Sequence, residues 1–135
     1  KYNAKIALDE NIYDLDIDIY APCALGATVN PDTISRLKCD IIAGAANNQL
    51  ADEDRDGKLC LDKGICYAPD FLINAGGLIN VYSEINGYDR DHSIQQTREI
   101  YETTLEILKK ADNEGIPTND AALKIAKQRI SNKNK

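Results

Sequence analysis

The chain has 135 residues, of which 43% are hydrophobic and 28% are charged, and its formal net charge is −6. This length fits one globular domain of the usual ~100–200 residues, and the composition is ordinary for a soluble protein. The negative charge argues against a nucleic-acid surface, and no apolar run is long enough to span a membrane. We therefore expect a cytoplasmic protein without nucleic-acid or membrane partners. Because the sequence contains no methionine, we also expect that the chain begins inside a longer protein.

The cysteines predict free thiols and no metal site. The four of them form no C-x-x-C pair, and the sequence has a single histidine, His92. Structural zinc sites usually take paired ligands at short spacing. Cys23 stands out because it follows Pro22 in a loop of small residues. A nucleophilic thiol needs a basic partner, and nothing in the sequence brings His92 near it, so we favour a packed thiol.

Four short apolar runs in the first half of the chain predict β-strands, at residues 5–8, 18–21, 41–43 and 65–68. The run at 41–43 is apolar at successive positions, as in a buried strand of a parallel sheet. A short helix is predicted at 31–38, with Asn30 as its N-cap and Pro31 as its first residue. Strands that alternate with such crossovers indicate an α/β layer.

The second half of the chain is predicted to be helical, at residues 74–85, 91–113 and from 118 onward. In the long middle helix, residues at three- and four-residue spacing predict a buried stripe: Ile94, Thr97, Tyr101, Leu105, Leu108 and Ala111. Gly115 and Pro117 end this helix, and Thr118 caps the last one. One side of that last helix carries Ala122, Ile125, Ala126, Arg129 and Ile130. The polar tail at 131–135 is expected to fray.

Small and polar residues follow three of the predicted strands, in the segments 21–27, 44–49, and 68–70 leading into 74–77. The carboxyl ends of parallel strands share one edge of a sheet, where ligands bind in α/β proteins. Small residues let a flat ligand approach the backbone, and the carboxamides of Asn47 and Asn48 offer paired donors and acceptors. The two asparagines could equally cap a helix, and Gly76 and Gly77 could simply ease the start of one. The residues alone leave both interpretations open.

The charged segment 52–57 matches D-x-D-x-D-G, the first half of an EF-hand calcium loop. The twelfth position of such a loop normally supplies a bidentate glutamate, but here it is Lys63. A lysine removes two ligand oxygens and adds repulsion. We therefore favour a solvated charged turn at 51–57, with a calcium-binding α/β module as the alternative.

Three motifs in chain order carry a resemblance to a known family. They read DIYAPCALGA at 18–27, AANNQL at 45–50, and YAPD at 67–70 running into INAGG at 73–77. Together with the helical end of the chain, they resemble the glutamate, leucine, phenylalanine and valine dehydrogenase family. The resemblance implies the second half of a Rossmann-type NAD-binding domain at residues 1–86. A helical segment at 87–135 would follow and pack on that domain and the hinge.

The family catalyses the reversible oxidative deamination of an L-amino acid with NAD, giving a 2-oxo acid, ammonia and NADH. The resemblance implies the C-terminal part of such an enzyme, acting on leucine or another branched-chain amino acid. In the family, a lysine and an aspartate of an N-terminal domain do the acid–base work, so we assign no catalytic residue here. No G-x-G-x-x-G precedes a helix, so the pyrophosphate turn and the N-terminal domain are both expected upstream. The isolated chain is then expected to be inactive, and the whole enzyme to be an octamer or a related homo-oligomer.

Positions that match the family's motifs give the expected site residues. Those implied to lie along the cofactor near its nicotinamide are Cys23, Ala24, Leu25, Gly26, Asn47 and Asn48. Asn48 is the residue expected to touch both cofactor and substrate. Leu78 and Val81 fall where the family lines the substrate pocket, and two aliphatic residues suit a branched aliphatic side chain. The alternatives are ordinary helix packing for these two residues and, for the chain, a non-catalytic α/β binding module.

Overall fold

A computed structural model describes residues 4–7, 9–85 and 87–133 of the chain. At its centre, three short parallel strands form a sheet in the order β1-β2-β3. The strands are β1 (Ile19–Tyr20), β2 (Ile41–Ile42) and β3 (Cys66–Tyr67). Ile41 lies opposite both Ile19 and Cys66, so the three carboxyl ends fall at one edge of the sheet. The sequence predicts this parallel α/β arrangement, and the structure confirms it.

Helices connect the strands and form the second half of the chain. The helices of the sheet half are α1 (Pro31–Arg36), α2 (Glu53–Asp62) and α3 (Asp70–Ile73). Those that follow are α4 (Gly76–Ile85), α5 (Arg90–Glu114) and α6 (Thr118–Lys133). A 3-10 helix at Asp9–Asp14 precedes β1.

The first residue of α1 is the predicted one. The side-chain oxygen of Asn30 accepts hydrogen bonds from the backbone N–H groups of Asp32 and Thr33, both at 3.1 Å. The Thr33 hydroxyl accepts one from the Asn30 N–H at 3.0 Å. These reciprocal bonds satisfy N–H groups that the first helical turn leaves without partners.

Two apolar clusters form the core. One lies between one face of the sheet and helices α1 and α2, and contains Tyr20, Val29, Ile34, Leu37, Cys39, Ile42, Leu50, Cys60, Ile65 and Tyr67. The other joins α5 to α6 and contains Ile107, Ala111, Ala121, Ala122 and Ile125. Burying one isoleucine or leucine side chain stabilises a fold by about 1.5–3 kcal/mol.

The opposite face of the sheet is open in this chain. Side chains alternate between faces along a strand, so Ile42 is fully buried while Ile41 is 37% exposed. Ile19, which pairs with Ile41, is 52% exposed. The prediction that 41–43 is buried at successive positions is therefore wrong for Ile41.

The predicted strand at 5–8 is also wrong. Residues 5–7 form no regular structure, and Leu8 lies outside the described residues. Ile6 is 98% exposed, so this apolar run gains no burial that would offset the entropy of ordering it.

Residues 51–55 of the charged segment 51–57 are exposed, as predicted, but the segment is not a turn, because most of it belongs to the start of α2. The Asp52 carboxylate caps this helix and accepts a hydrogen bond from the Arg55 N–H at 2.8 Å. Asp56 is fully buried; its carboxylate accepts from the Asp52 N–H at 2.9 Å and from Arg55 Nε at 2.7 Å. The carboxylates thus serve a helix N-terminus, where negative charge is favourable, and no calcium loop forms. Within the described ranges, no group of three or more histidine, cysteine, aspartate or glutamate residues is placed to hold a metal ion.

The middle helices largely follow the predictions. α4 begins at Gly76 and not at residue 74, because Asn74 ends the preceding helix α3. α5 ends at Gly115, which adopts the left-handed conformation with φ 61°. The predicted stripe of α5 is only partly correct: Ala111 is buried, but Tyr101 is 66% exposed.

The last helix differs from its prediction at both ends. Thr118 is the first residue of α6 and not its cap, since its hydroxyl donates to the Tyr67 carbonyl at 2.6 Å. Ala122 and Ile125 are buried as predicted. The other members of the predicted side are exposed: Ala126, Arg129 and Ile130. The helix continues through residues 131–133, while 134–135 lie outside the described part.

The division of the chain at residue 86 remains a prediction. Among the residues that the structure describes, no helix combines the length and the apolar character needed to cross a membrane.

Candidate functional site

The loops that follow β1 and β2 lie side by side at the carboxyl edge of the sheet. The Ala46 N–H donates to the Pro22 carbonyl at 2.9 Å, and the Ala27 N–H donates to the Asn48 carbonyl at 2.7 Å. These bonds extend the contact between β1 and β2 beyond the strands. The structure therefore brings together the two segments that the sequence predicts at this edge.

Two glycines allow this close approach of the loops. A Cβ atom added to Gly44 would lie 2.1 Å from the Pro22 carbonyl oxygen. One added to Gly26 would lie 2.8 Å from the carbonyl oxygen of Asn47 and 2.9 Å from that of Asn48. Any larger residue would push the two loops apart, because folded backbones do not tolerate such contacts. The edge is consequently a narrow surface of backbone and small side chains.

Asn47 and Asn48 lie on this edge and are exposed. They do not cap a helix, because the N-cap of α2 is Asp52. The Asn47 side-chain oxygen accepts a hydrogen bond from Asn74 Nδ2 at 2.5 Å. Asn48 adopts φ 52°, in the left-handed region that few residues other than glycine occupy. The alternative that Asn47 and Asn48 cap a helix is therefore wrong.

A buried network holds the same loop from beneath. Gln49 is fully buried, and its Nε2 donates to the carbonyls of Gly44 at 2.7 Å and Ala46 at 2.9 Å. The Gln49 backbone N–H donates to the Asp70 carboxylate at 2.8 Å. Gln49 and Asp70 support the site, although the sequence did not lead us to expect this role. The available signal was Asp70 itself, an aspartate placed directly after a strand and a proline, where it begins a helix.

The loop after β1 presents its side chains outward. Cys23, Ala24 and Gly26 are exposed, and Leu25 is 76% exposed. The expectation that Cys23 is a packed thiol is wrong, although its sulfur accepts a hydrogen bond from the Ala45 N–H at 3.5 Å. All four residues border the glycine-mediated contact with the Asn47–Asn48 pair.

Two buried ionisable groups of the core have raised pKa values. Burial, with the Asp70 carboxylate close by, raises the pKa of the Tyr67 hydroxyl. Burial also raises the pKa of the Cys60 thiol to about 12. Both groups are therefore neutral near neutral pH.

Leu78 and Val81 lie on α4, which begins shortly after Asn74. Leu78 is 73% exposed and Val81 is 55% exposed. They therefore do not pack into the core of this chain, as the helix-packing alternative requires. Tyr82 and Ile85 continue the same face of α4 at 61% and 77% exposure.

A cavity of about 340 Å³ lies away from this edge, between α2, β3 and the start of α6. Its lining includes Cys60, Cys66, Leu108 and Pro117. None of the predicted site residues lines it.

The sequence of this chain matches one known protein family. The model of the glutamate/leucine/phenylalanine/valine dehydrogenase family matches residues 1–135. The chain belongs to this family. Membership confirms the resemblance carried by the three motifs at the carboxyl edge, while the roles of individual site residues remain predictions.

Characterised members of this dehydrogenase family match nearly the whole chain. L-Tryptophan dehydrogenase of Nostoc punctiforme is 50% identical over 131 residues, which are 97% of this chain and 37% of that protein. Leucine dehydrogenase of Thermoactinomyces intermedius is 48% identical over 130 residues, which are 96% of this chain and 35% of that protein. The chain thus spans little more than a third of the length of these relatives.

Solved dehydrogenase structures share the fold. The crystal structure of L-tryptophan dehydrogenase from Nostoc punctiforme superposes with a TM-score of 0.89 at 52% identity, covering 92% of this chain and 37% of that chain. The hetero-hexameric glutamate dehydrogenase of Thermus thermophilus gives a TM-score of 0.70 at 20% identity, covering 95% and 33%. The Rossmann-like α/β fold expected from the resemblance is confirmed.

Proposed function

We propose that the protein containing this chain is an NAD-dependent dehydrogenase of leucine or a similar branched-chain L-amino acid. The observation that carries the proposal is the joined edge of the two loops, where the exposed Asn47 and Asn48 stand beside the small-residue loop 23–26. In the proposed reaction, the amino acid loses a hydride to the cofactor and a proton to water. Water then supplies the oxygen of the 2-oxo acid as ammonia leaves.

The edge suits the nicotinamide end of NAD. Its backbone is accessible to a ligand because Gly26 and Gly44 carry no side chains. The carboxamides of Asn47 and Asn48 can form hydrogen bonds with the nicotinamide carboxamide. When bound, the nicotinamide supplies the hydride acceptor. The residues of this chain would orient that ring, with Cys23, Ala24, Leu25 and Gly26 along it and Asn48 at the junction with the substrate.

Leu78 and Val81 are proposed to contact the substrate side chain. Both are aliphatic and exposed on one face of α4, which suits a branched aliphatic group and offers no cation for a second carboxylate. One methylene in such a pocket changes selectivity by only about 1–3 kcal/mol. Because relatives of similar identity include leucine and tryptophan dehydrogenases, the preference needs a direct test.

The acid and base of the reaction are proposed to lie in the part of the protein outside this chain. The side-chain nitrogen of Lys63, a cation near the sheet, donates hydrogen bonds to the carbonyls of Ser35 at 2.9 Å and Leu37 at 2.7 Å. The proposed partners of this chain are therefore an N-terminal domain and further copies in a homo-oligomer of the octamer type. We place the enzyme in the cytoplasm.

The test is the formation of NADH from NAD, or of NADPH from NADP, by the full-length protein with leucine, valine, glutamate, phenylalanine or tryptophan. We expect turnover with NAD and the highest kcat/KM for leucine or valine. Absence of turnover with every amino acid and both cofactors would overturn the proposed activity. A preference for tryptophan or phenylalanine would overturn only the branched-chain assignment.

A variant in the proposed pocket sharpens that test. Leu78→Ala removes an aliphatic wall, so we expect the ratio of kcat/KM for phenylalanine to that for leucine to rise about tenfold or more. Leu123→Ala is the matched control, because Leu123 is an exposed leucine on α6 at 43% exposure. An equal shift in both variants would contradict the pocket assignment.

A further inference from the structure

We propose that Asp70 is a positioning residue that holds Asn47 and Asn48 in their binding geometry, an inference that rests on the function proposed above. Asp70 is the first residue of α3 and is only 8% exposed. It does not lie on the exposed edge itself. Its effect would pass through Gln49, which directly follows Asn48 in the chain.

The carboxylate of Asp70 joins the loop after β2 to the segment after β3. One oxygen accepts the Gln49 N–H at 2.8 Å, and the other accepts the Phe71 N–H at 2.6 Å. The second bond fixes the carboxylate, so the first bond fixes the loop. Hydrogen bonds to an ionised acceptor are about twice as strong as neutral ones, and burial strengthens them further.

The other end of α3 holds the same loop. Asn74 is the C-cap of α3, and its Nδ2 donates to the side-chain oxygen of Asn47 at 2.5 Å. Asn48 lies between these two attachments with φ 52°. Asparagine adopts this left-handed conformation more readily than most residues, so the two attachments, and not backbone strain, fix the position of Asn48. Releasing the Gln49 N–H would free the backbone next to Asn48 and let its carboxamide move away from the cofactor.

Within the described part of the chain, Asp70 forms no salt bridge with a lysine or arginine. Its charge is met by N–H donors instead. In Asp70→Asn the side chain keeps its shape, but its amide group must face one of two N–H donors. The bond to the Gln49 N–H is therefore either lost or reduced to a weaker bond with a neutral acceptor, while the packing around it is preserved.

The test uses the full-length protein with Asp70→Asn. We expect kcat to fall about tenfold or more while KM for the amino acid changes less than about threefold, because a misplaced group costs most in the transition state. Since Asp70 acts through the loop, the double variant Asp70→Asn with Asn48→Ala should be no slower than Asn48→Ala alone. Additive losses would overturn the proposal, as would an unchanged kcat in Asp70→Asn.

Asp56→Asn is the matched control, because Asp56 is also buried and also accepts a backbone N–H, on α2. We expect its kcat to stay within about twofold of the unmodified protein, whatever its thermal midpoint. An equal fall in kcat for the two variants would reduce Asp70 to a general structural role and overturn the proposal.

A second measurement separates this inference from the proposed activity. If the unmodified protein is inactive, the proposed function fails, but amide hydrogen exchange at Gln49 still tests the attachment. We expect faster exchange at Gln49 in Asp70→Asn and no change there in Asp56→Asn. An unchanged exchange rate in Asp70→Asn would overturn the positioning role without reference to turnover.

Discussion

Gly44 shows how a single residue sets the shape of the candidate site. It is buried at the carboxyl end of β2, and a Cβ there would meet the nitrogen and carbonyl oxygen of Pro22 at 2.5 and 2.1 Å. We expect Gly44→Ala to lower the free energy of unfolding by about 1–3 kcal/mol, because the backbone must move to relieve the contact. The measurement is denaturant unfolding of the full-length protein.

Gly77 provides the control for that substitution. It lies in α4, and an added Cβ there meets nothing within 4 Å. We expect Gly77→Ala to change the free energy of unfolding by less than about 1 kcal/mol, in the stabilising direction. Equal stability of the Gly44 variant and the unmodified protein would contradict the close approach of the loops.

Single residues are predictable from sequence where their partners are neighbours in the chain. Asn30 could be predicted as a cap because it bonds to residues two and three positions onward. Asp70 has a local signal in its position after a strand and a proline, but its bond to Gln49 was not predictable, because the two residues are 21 positions apart. Strand order and the resemblance predict Asn47 and Asn48 at the edge, but only the fold shows the left-handed conformation of Asn48 and the bond from Asn74 to Asn47.

Among the elements, α2 and α1 are joined by one lysine. Lys63, just past the end of α2, donates to the carbonyls of Ile34, Ser35 and Leu37 at the end of α1. A cation is favourable at a helix C-terminus, where carbonyls lack partners. We expect Lys63→Met to lower the free energy of unfolding by about 1 kcal/mol. Lys58→Met, an exposed lysine of α2, is the control and should be near neutral; equal effects would contradict the capping role.

The hairpin of α5 and α6 carries an ion-pair cluster with a pH signature. Glu114 accepts from Lys110 at 2.6 Å and from Lys124 at 2.8 Å, and these bonds lower its pKa from 4.5 to about 2. A carboxylate whose pKa is lowered by folding stabilises the folded state at pH values above its pKa in the unfolded chain. This stabilisation is lost as the pH falls toward its pKa in the folded protein.

Glu114→Gln tests that signature. We expect it to lower the thermal midpoint at about pH 7 and to lose most of this effect as the pH falls from about 4.5 to about 2. The full-length protein is compared with the variant across that range. A difference in midpoint that does not change with pH would show that the ion pairs do not stabilise the hairpin.

The sequence predicts the type of most elements, but it predicts less well which of their residues are buried and what they bond to. The helices at α1, α4, α5 and α6 follow from apolar periodicity, caps and the Gly115 stop. The charges of the segment 51–57 predict a solvated turn, but most of the segment belongs to α2; the carboxylates of Asp52 and Asp56 accept from backbone N–H groups, and Asp56 is fully buried. The run at 5–8 has strand-like residues, but a strand forms only where another strand pairs with it.

At the scale of the whole molecule, this chain leaves apolar surfaces without cover. Ile19 and Ile41 are exposed on the open face of the sheet, and Leu78 and Val81 are exposed on α4. The chain spans little more than a third of its relatives' length. Sequence patterns predict which residues are apolar, but they do not say which segment covers them.

The same surfaces lead to a prediction for the isolated chain. Without the rest of the protein, the 135 residues lack the proposed acid–base groups and leave strand edges free to pair. We expect no NADH formation by this polypeptide with leucine and NAD, with the full-length protein as the positive control. Turnover by the isolated chain would show that it contains a complete active site.

The most direct test of the account is the effect of Asn48→Ala on turnover by the full-length protein. Asn48 is exposed at the joined edge and caps no helix, so the fold should survive its loss. We expect kcat to fall about tenfold or more with only a small drop in thermal midpoint, because alanine adopts the φ of 52° less readily than asparagine does. Asn113→Ala, at an exposed asparagine of α5, should leave kcat unaltered. Unchanged kinetics in Asn48→Ala would contradict the assignment of this edge as the cofactor and substrate site.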